Sequence, residues 1–355
     1  MTQRMRIAIG LALAAAIVGL TACGGSKETK APPVETPLPS ASASGSPSDS
    51  PSPTPSFLAP LTGMPAEREV TNRPFSVMIN NLAPARPQSG MTQADVVWEL
   101  LAEGGITRFV AVFQSKEFTD PIGPIRSIRP YYIQVGEFYG GVLVHAGASN
   151  DGFAILQKQK KEHLDEITNA GAYFYRDKSR KMPHNVYSTL EQLRQGAEKR
   201  NYGSAANVPA MTFSDHPPAL SAAEAAEKID IKFLLSSYKV SYAYDGVSGL
   251  YKRSINDEPH MDKNNDEQLT AANLVVLSAK HDIQDDVGRL AVDLDRGGEA
   301  ILFQQGKAIA CQWERREGDV IRLVKDGQEL PFVPGVTYYH VVPTSSPLDK
   351  HVTYQ

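Results

Sequence analysis

Two arginines three positions apart, Arg126 and Arg129, stand in the sequence "GPIRSIRP", directly before an apolar and aromatic run. A guanidinium group is planar and binds carboxylates or phosphates through two parallel hydrogen bonds. The pair therefore predicts an anion-binding element. The alternative is a structural network, in which both arginines pair with acidic residues of a neighbouring sheet such as Asp95, Glu99 or Glu103.

Other polar residues stand at predicted strand ends or in loops, where a rigid scaffold usually displays function. Three of them are candidate ligand contacts beside the arginine pair: Asn80, Arg108 and Arg176. Four are candidate acids or bases: Glu103, His145, Asp177 and His184. His145 lies in the apolar run "VLVHAG", so a hydrogen-bonded core histidine is the competing interpretation. His184 follows Pro183 in a predicted loop, where acid/base work competes with a structural turn.

The motifs of several large enzyme classes do not occur in this sequence. We find no phosphate-binding P-loop, dinucleotide fingerprint, "HExxH" helix or "GxSxG" elbow. Cys311 lies in "AIACQWER", whose alternation predicts a strand and a buried thiol rather than a nucleophile. His260 and Asp262 in "PHMD" are too few ligands for a metal site. No cofactor and no metal are expected.

The elements that must position these residues in the first half of the chain are strands mixed with helices. Gly104-Gly105 separates two β-rich runs, a pattern typical of a tight hairpin. The segment 124–139 is apolar enough for a buried helix that would direct its positive end toward Arg126. Pro130 disfavours helical geometry at Arg129, so the alternative is a helix that begins at Pro130 after a shaped loop.

The second half is a series of short strands separated by turn signals such as Asp245-Gly246 and Asp326-Gly327. Regular spacing of this kind predicts an antiparallel sheet. "SAAEAAEKI", residues 221–229, predicts a short helix before the strands. The expected fold class is α+β, with an N-terminal α/β sandwich domain containing a mixed sheet (57–215) and a β-rich antiparallel C-terminal domain (216–355).

The N-terminus has the pattern of a lipoprotein secretion signal. Arg4 and Arg6 precede an apolar run of 14 residues, Ile7 to Leu20, which is short for a membrane-spanning helix. "LTAC" then matches the bacterial lipoprotein box, so we expect residues 1–22 to be removed and Cys23 to carry a diacylglyceryl group and a further acyl chain such as palmitate. Two or more chains anchor a protein firmly to a membrane. An ordinary signal peptide containing a cysteine is the alternative.

Residues 24–56 are rich in Pro and Ser and nearly free of large apolar side chains, so they predict a disordered tether. A flexible coil of this length spans about 30 Å, and a polyproline conformation about 100 Å. Without residues 1–22 the chain has 34 basic and 40 acidic residues, a formal charge of −6. This balance excludes nucleic acid as an expected partner.

Long segments of the sequence resemble the YerB-like lipoprotein family. "ARPQSGMTQADVVWELLAEGGITRF", "IGPIRSIRPYY" and "FYRDKSRKMPHNVY" are similar to the N-terminal domain of that family, and "LTAANLVVL" and "PGVTYYHVVP" to its C-terminal domain. "NDEPH" departs from the family, which usually has a glycine after the asparagine. The resemblance implies a two-domain envelope lipoprotein and supplies no reaction.

Two functions remain open at the level of sequence. The first is a non-catalytic binding or accessory module on the extracytoplasmic side of the cell membrane, anchored through Cys23, for a cell-wall component or a membrane protein. The second is a hydrolase of peptidoglycan or another wall glycan, with Glu103 and Asp177 as the acid/base pair. We favour binding, because no nucleophile beside a base is visible in the sequence.

Overall fold

The computed structural model describes residues 57–355. The predicted signal peptide, Cys23 and the tether lie outside these residues. Residues 57–215 contain three helices, α1 (Pro130–Glu137), α2 (Asn150–Lys158) and α3 (Leu190–Lys199). Their strands are β1 (Phe57–Leu58), β2 (Pro65–Ala66), β3 (Phe75–Asn80), β4 (Val96–Leu101), β5 (Thr107–Phe113), β6 (Val142–His145), β7 (His163–Asp165), β8 (Tyr175–Arg176) and β9 (Val186–Tyr187).

Residues 216–355 are mostly strands, as expected, with one short helix, α4 (Leu348–His351). The strands are β10 (Glu224–Ala225), β11 (Lys228–Lys232), β12 (Lys239–Asp245), β13 (Leu250–Ile255), β14 (Glu258–Pro259), β15 (Thr270–Ala271), β16 (Asn273–Ile283), β17 (Leu290–Asp293), β18 (Gly298–Gln304), β19 (Lys307–Arg315), β20 (Ile321–Lys325), β21 (Gln328–Glu329), β22 (Thr337–Pro343) and β23 (Val352–Tyr354). Short 3-10 turns occupy Ala83–Ala85, Met91–Gln93, Glu103–Gly105, Gly171–Tyr173 and Pro218–Ala222.

One large mixed sheet contains strands from both halves of the chain. Its order is β21-β20-β19-β18-β16-β22-β4-β5-β3-β6-β7, with β10 and β17 paired at its side. The link between the halves is β22, which pairs in parallel with β16 on one side and with β4 on the other. A second sheet, antiparallel throughout, has the order β14-β13-β12-β11-β23, with β15 on β13. The expected α+β class with a mixed and an antiparallel sheet is confirmed.

Both faces of the middle of the large sheet are buried, so β3, β4 and β5 are buried at every position and mostly apolar. Alternate side chains of each strand enter two different cores. Val77, Val97 and Tyr338 belong to the core under the antiparallel sheet and α3. Met78 and Trp98 belong to the core under α1 and α2, in which Trp98 and Tyr339 stack at a ring distance of 4.0 Å. Because both faces of these strands are buried, their sequences lack the alternation of polar and apolar residues that marks a half-exposed strand.

Two local predictions are confirmed and one is wrong. The hairpin forms around Gly104 and Gly105, both with positive φ, and pairs Leu101 with Thr107. Helix α1 begins at Pro130, with extended Arg129 as its N-cap residue. The predicted helix at 221–229 does not form, because Glu224–Ala225 pairs with β19 and Lys228–Lys232 pairs with β12. Long-range pairing outweighs the modest helical preference of alanine and glutamate in so short a segment.

Candidate functional site

The candidate polar residues collect at one edge of the large sheet. Strands β3, β4 and β6 run in the same direction, since β3 is parallel to β6 and both β3 and β4 are antiparallel to β5. Asn80 ends β3, Glu103 follows β4 and His145 ends β6. The carboxyl edge of parallel strands is where ligands commonly bind in open α/β sheets.

The loop "GPIRSI" is held between β3 and β6 by backbone hydrogen bonds. The N–H of Asn80 donates to the carbonyl of Pro124 at 2.9 Å, and the N–H of Arg126 donates to the carbonyl of Met78 at 2.8 Å. On the other side, the N–H of Ala146 donates to the carbonyl of Arg126 at 3.1 Å. The loop thus continues the sheet beyond the end of β3, and it places Arg126 at the carboxyl edge.

The guanidinium groups of Arg108 and Arg129 share the Glu103 carboxylate there, and the guanidinium group of Arg126 lies near them. We call Glu103, Arg108, Arg126 and Arg129 the arginine cluster. Arg129 donates to Glu103 through Nε and, at 3.0 Å, through Nη2, and Arg108 Nη2 lies 3.3 Å from the same carboxylate. Burial opposes the charge on Glu103, but the hydrogen bond from Arg129 and the charges of Arg108 and Arg129 lower its pKa. Arg129 is thus paired with Glu103, as the structural alternative expected, and Arg108 shares the same carboxylate.

Arg126 is different. Within residues 57–355, its side chain makes no hydrogen bond and no ion pair, although it is half-buried. The other two acidic residues considered from the sequence are occupied: Glu99 pairs with Arg253, and Asp95 accepts from the backbone N–H groups of Gln114 and Ser115. Burial and the charges of Arg108 and Arg129 lower the pKa of Arg126. Because Arg126 is unpaired and lies beside two further positive charges, it is suited to bind an external anion.

His184 and Asn80 lie next to Arg126. Asn80 Nδ2 is 2.8 Å from His184 Nδ1, and Asn80 Oδ1 accepts from the N–H of Leu82 at 3.1 Å. The amide of Asn80 is thus oriented as a donor, so His184 Nδ1 accepts and its Nε2 carries the proton. Burial, and then the positive charges of Arg126 and Arg180, lower the pKa of His184. The imidazole therefore offers a neutral hydrogen-bond donor at this edge.

Arg176 ends β8 and Asp177 follows it, and no described contact joins either of them to Arg126. Arg176 Nη2 binds both oxygens of Glu166, at 2.9 and 3.1 Å, and its Nη1 donates to Asn185 at 3.1 Å. Asp177 accepts from the N–H and hydroxyl of Ser179, and these bonds lower its pKa. Asp177 also lies 3.3 Å from the ammonium group of Lys263, so both side chains are engaged with partners inside the protein.

His145 is wholly enclosed. Its Nδ1 donates to the carbonyl of Gly147 at 2.9 Å, and its Nε2 lies 3.0 Å from Nδ1 of His163. Burial lowers the pKa of His145 to about 4, although Asp165 attracts the charged form. His145 therefore contributes to packing in the described structure rather than to the open edge.

A buried polar network was missed by sequence reasoning. Arg253 Nη2 donates to Glu99 Oε2 at 2.8 Å, and both side chains have no exposed surface. The remaining guanidinium donors are satisfied by Tyr242 and His260, at 2.6 and 3.0 Å. Arg253 lies on the same face of β13 as its buried neighbours Tyr251 and Ile255, so strand alternation was a signal that could have placed it inward.

The other residues considered for chemistry, His260, Asp262 and Cys311, are engaged in the interior or partly buried. His260 uses both ring nitrogens, accepting from Arg253 and bonding Gln88 at 2.6 Å, and Asp262 accepts from the N–H groups of Gly90 and Thr92. Burial raises the pKa of the Cys311 thiol to about 12. No cluster of three or more potential metal ligands, and no helix long and apolar enough to cross a membrane, occurs among residues 57–355.

Comparison with known proteins adds a family and no activity. Residues 61–203 match the family model "Protein of unknown function (DUF3048) N-terminal domain", and residues 229–339 match the model of the corresponding C-terminal domain. The chain is 35% identical over 288 residues to "Putative lipoprotein YerB" of Bacillus subtilis (strain 168), covering 80% of this chain and 86% of that protein.

A solved structure also matches. The crystal structure of the YerB protein from Bacillus subtilis superimposes with a TM-score of 0.76 at 33% identity, covering 83% of this chain and 99% of that one. The resemblance inferred from "GPIRSIRPYY" and the other segments is thereby confirmed. This chain belongs to the YerB-like family of two-domain proteins, whose domains carry the description DUF3048.

Proposed function

We propose that this chain is a lipid-anchored, non-catalytic binding module of the cell envelope, which holds an anionic group of a wall component or membrane protein at Arg126. The similarity to a protein described as a lipoprotein supports membrane association. The signal pattern before Cys23 supports lipidation on the extracytoplasmic side. The two sequence halves, 57–215 and 216–355, are proposed as its domains.

The observation that carries the proposal is the charge balance of the arginine cluster. Three guanidinium groups face one carboxylate, and Arg126 keeps its planar fork of donors unpaired in the described structure. A carboxylate or phosphate oxygen pair matches this fork, and it would also relieve the repulsion among the three cations. Asn80 and His184 would orient the bound group from the side.

The hydrolase alternative is less well supported. A glycoside hydrolase needs one carboxylic acid whose pKa is raised so that it can donate a proton near neutral pH. The pKa values of both candidates, Glu103 and Asp177, are lowered by their hydrogen-bond donors. His184 presents a protonated Nε2 and no free lone pair for general-base chemistry.

The test is incubation of soluble residues 57–355 with purified wall sacculi and with membranes. We expect retention of the protein without release of muropeptides. Arg126→Ala should weaken retention at least tenfold, Arg126→Lys should recover only part of it, and the exposed control Arg296→Ala should bind as the parent chain does. Release of muropeptides that disappears in Glu103→Gln would establish the hydrolase instead. Equal retention of Arg126→Ala and the parent would refute the anion site.

A further inference from the structure

A large cleft opens at the edge of the sheet opposite the arginine cluster. Its volume is about 1330 Å³. It lies beside the amino ends of β4 and β22, and residues of both family-matched regions line it, among them Thr92, Lys116, Glu267 and Tyr338. Clefts between two such regions are frequent positions of ligand sites.

The cleft contains the partly buried ammonium group of Lys116. Lys116 Nζ donates to the carbonyl of Thr92 at 2.9 Å, and within the described residues it has no carboxylate within 4.0 Å. Burial lowers the pKa of Lys116, although Asp95 and Glu267 attract its charge. Since an ammonium has three donors, two remain for an anionic group of a ligand.

The rim of the cleft has the opposite charge. Glu67, Glu69 and Glu267 are exposed and form no ion pair in the described part of the chain. A fourth glutamate, Glu117, is held by Arg194 through hydrogen bonds of 2.6 and 2.7 Å, and the exposed Arg68 lies 3.9 Å from it. Four carboxylates on the rim thus face two guanidinium groups. This excess of negative charge repels polyanions and favours a ligand with a single negative group for Lys116 and a positive group for the unpaired glutamates.

The backbone of one wall is also open. All residues from Glu67 to Asn72 line the cleft, and the segment 67–70 makes no hydrogen bond within residues 57–355. Backbone N–H and C=O groups without partners can pair with the backbone of a bound chain. This favours a ligand that has peptide groups of its own between its two charges.

We propose that this cleft binds a peptide, with the terminal carboxylate at Lys116 and an ammonium group at the glutamate rim. The site is separate from the arginine cluster, which is suited to a more strongly anionic group. One edge of the sheet would thus bind an anion, and the other edge a zwitterionic peptide. The chain would be able to hold two different ligands at once.

The probes are Lys-Ala-Ala-Ala as the free acid, the same peptide as its C-terminal amide, and its N-acetylated free acid. Binding to residues 24–355 is followed by the shifts of assigned backbone amide signals in ¹⁵N–¹H NMR spectra. We expect the free acid to shift the signals of residues 67–72, and the amide to bind at least tenfold more weakly. Lys116→Met should remove the difference between acid and amide, whereas the exposed control Lys158→Met should keep it.

Two further comparisons keep the result interpretable. Arg126→Ala should bind the peptide as the parent does, so that failure of the anion-site proposal leaves this one standing. If Lys116→Met does not fold, the acid and amide on the parent chain still decide. Equal affinity for acid and amide, or no shift at residues 67–72 with any of the peptides, would overturn the proposal.

Discussion

Arg253 and Glu99 form an ion pair of 2.8 Å with no solvent-exposed surface on either side chain. The pair joins β13 of the antiparallel sheet to β4 of the large sheet, so it links segments 154 positions apart in the chain. Charges and hydrogen-bond partners are matched on both sides, because Tyr238 and Thr107 also donate to Glu99, at 2.5 and 2.7 Å. Removing either member would leave the other as a buried, uncompensated charge.

Single replacements of this pair should therefore be strongly destabilising. We expect Arg253→Met or Glu99→Gln to lower the free energy of unfolding by about 3–5 kcal/mol each, and the double variant to lose less than the sum. Urea denaturation monitored by circular dichroism measures the free energy of unfolding of each variant. The partly exposed ion pair of Arg194 and Glu117 offers a control, since Arg194→Met should lower the free energy of unfolding by less than about 1 kcal/mol. A loss under about 1 kcal/mol for Arg253→Met would contradict the interpretation.

Stability should fall in mild acid because buried histidines, among them His145 and His340, are held in their neutral form. Burial lowers the pKa of both His145 and His340 to about 4 from an ordinary value of 6.5. Between these values the unfolded chain binds more protons than the folded one, so stability decreases as the pH falls from about 6.5 to 4 and is unaffected by these groups above about 7.

The melting temperature between pH 7.5 and 4.5 tests this dependence. Each histidine corresponds to about 3 kcal/mol over the whole range. His145→Gln should show a shallower pH dependence than the parent chain, although it starts from a lower stability. A parallel pH profile in the two proteins would show that His145 is not one of the groups responsible.

Loss of the carboxylate of the arginine cluster should destabilise the protein, whereas loss of its unpaired cation should not. Glu103→Gln leaves three guanidinium groups without a counter-charge, so we expect a loss of about 2 kcal/mol that 1 M NaCl partly restores. Arg126→Met keeps most of the side-chain stem and removes a repelling charge, so its unfolding free energy should stay within about 0.5 kcal/mol of the parent. A large loss in Arg126→Met would assign this residue to structure rather than to a ligand.

Membrane attachment should depend on Cys23. We expect Cys23→Ala to move the protein from the membrane fraction to the soluble fraction and to abolish labelling by an alkyne-tagged fatty acid. Cys311→Ala should change neither, because its half-buried thiol lies on β19 and burial raises its pKa to about 12. Labelling that persists in Cys23→Ala would place the lipid elsewhere.

Local chemistry made several features predictable from the sequence. A glycine pair can adopt positive φ, and this determined the hairpin at Gly104 and Gly105. Proline favours the first turn of a helix and an extended residue before it, and this determined the start of α1 at Pro130. Asn80, Glu103 and His145 could be proposed individually, since each stands at the end of a mostly apolar strand or shortly after it.

Which of these residues are paired was decided only by the tertiary structure. The sequence near Arg126 offers Asp95, Glu99 and Glu103 equally, but only Glu103 reaches the cluster, because Glu99 is bound by an arginine from another sheet. The cleft at Lys116 likewise needs β22 to pair with β4, Thr337 opposite Val96, across most of the chain. Pairings between distant segments leave no periodic pattern in either segment, so local physics determined the hairpin and the start of α1, and long-range contact determined the sites.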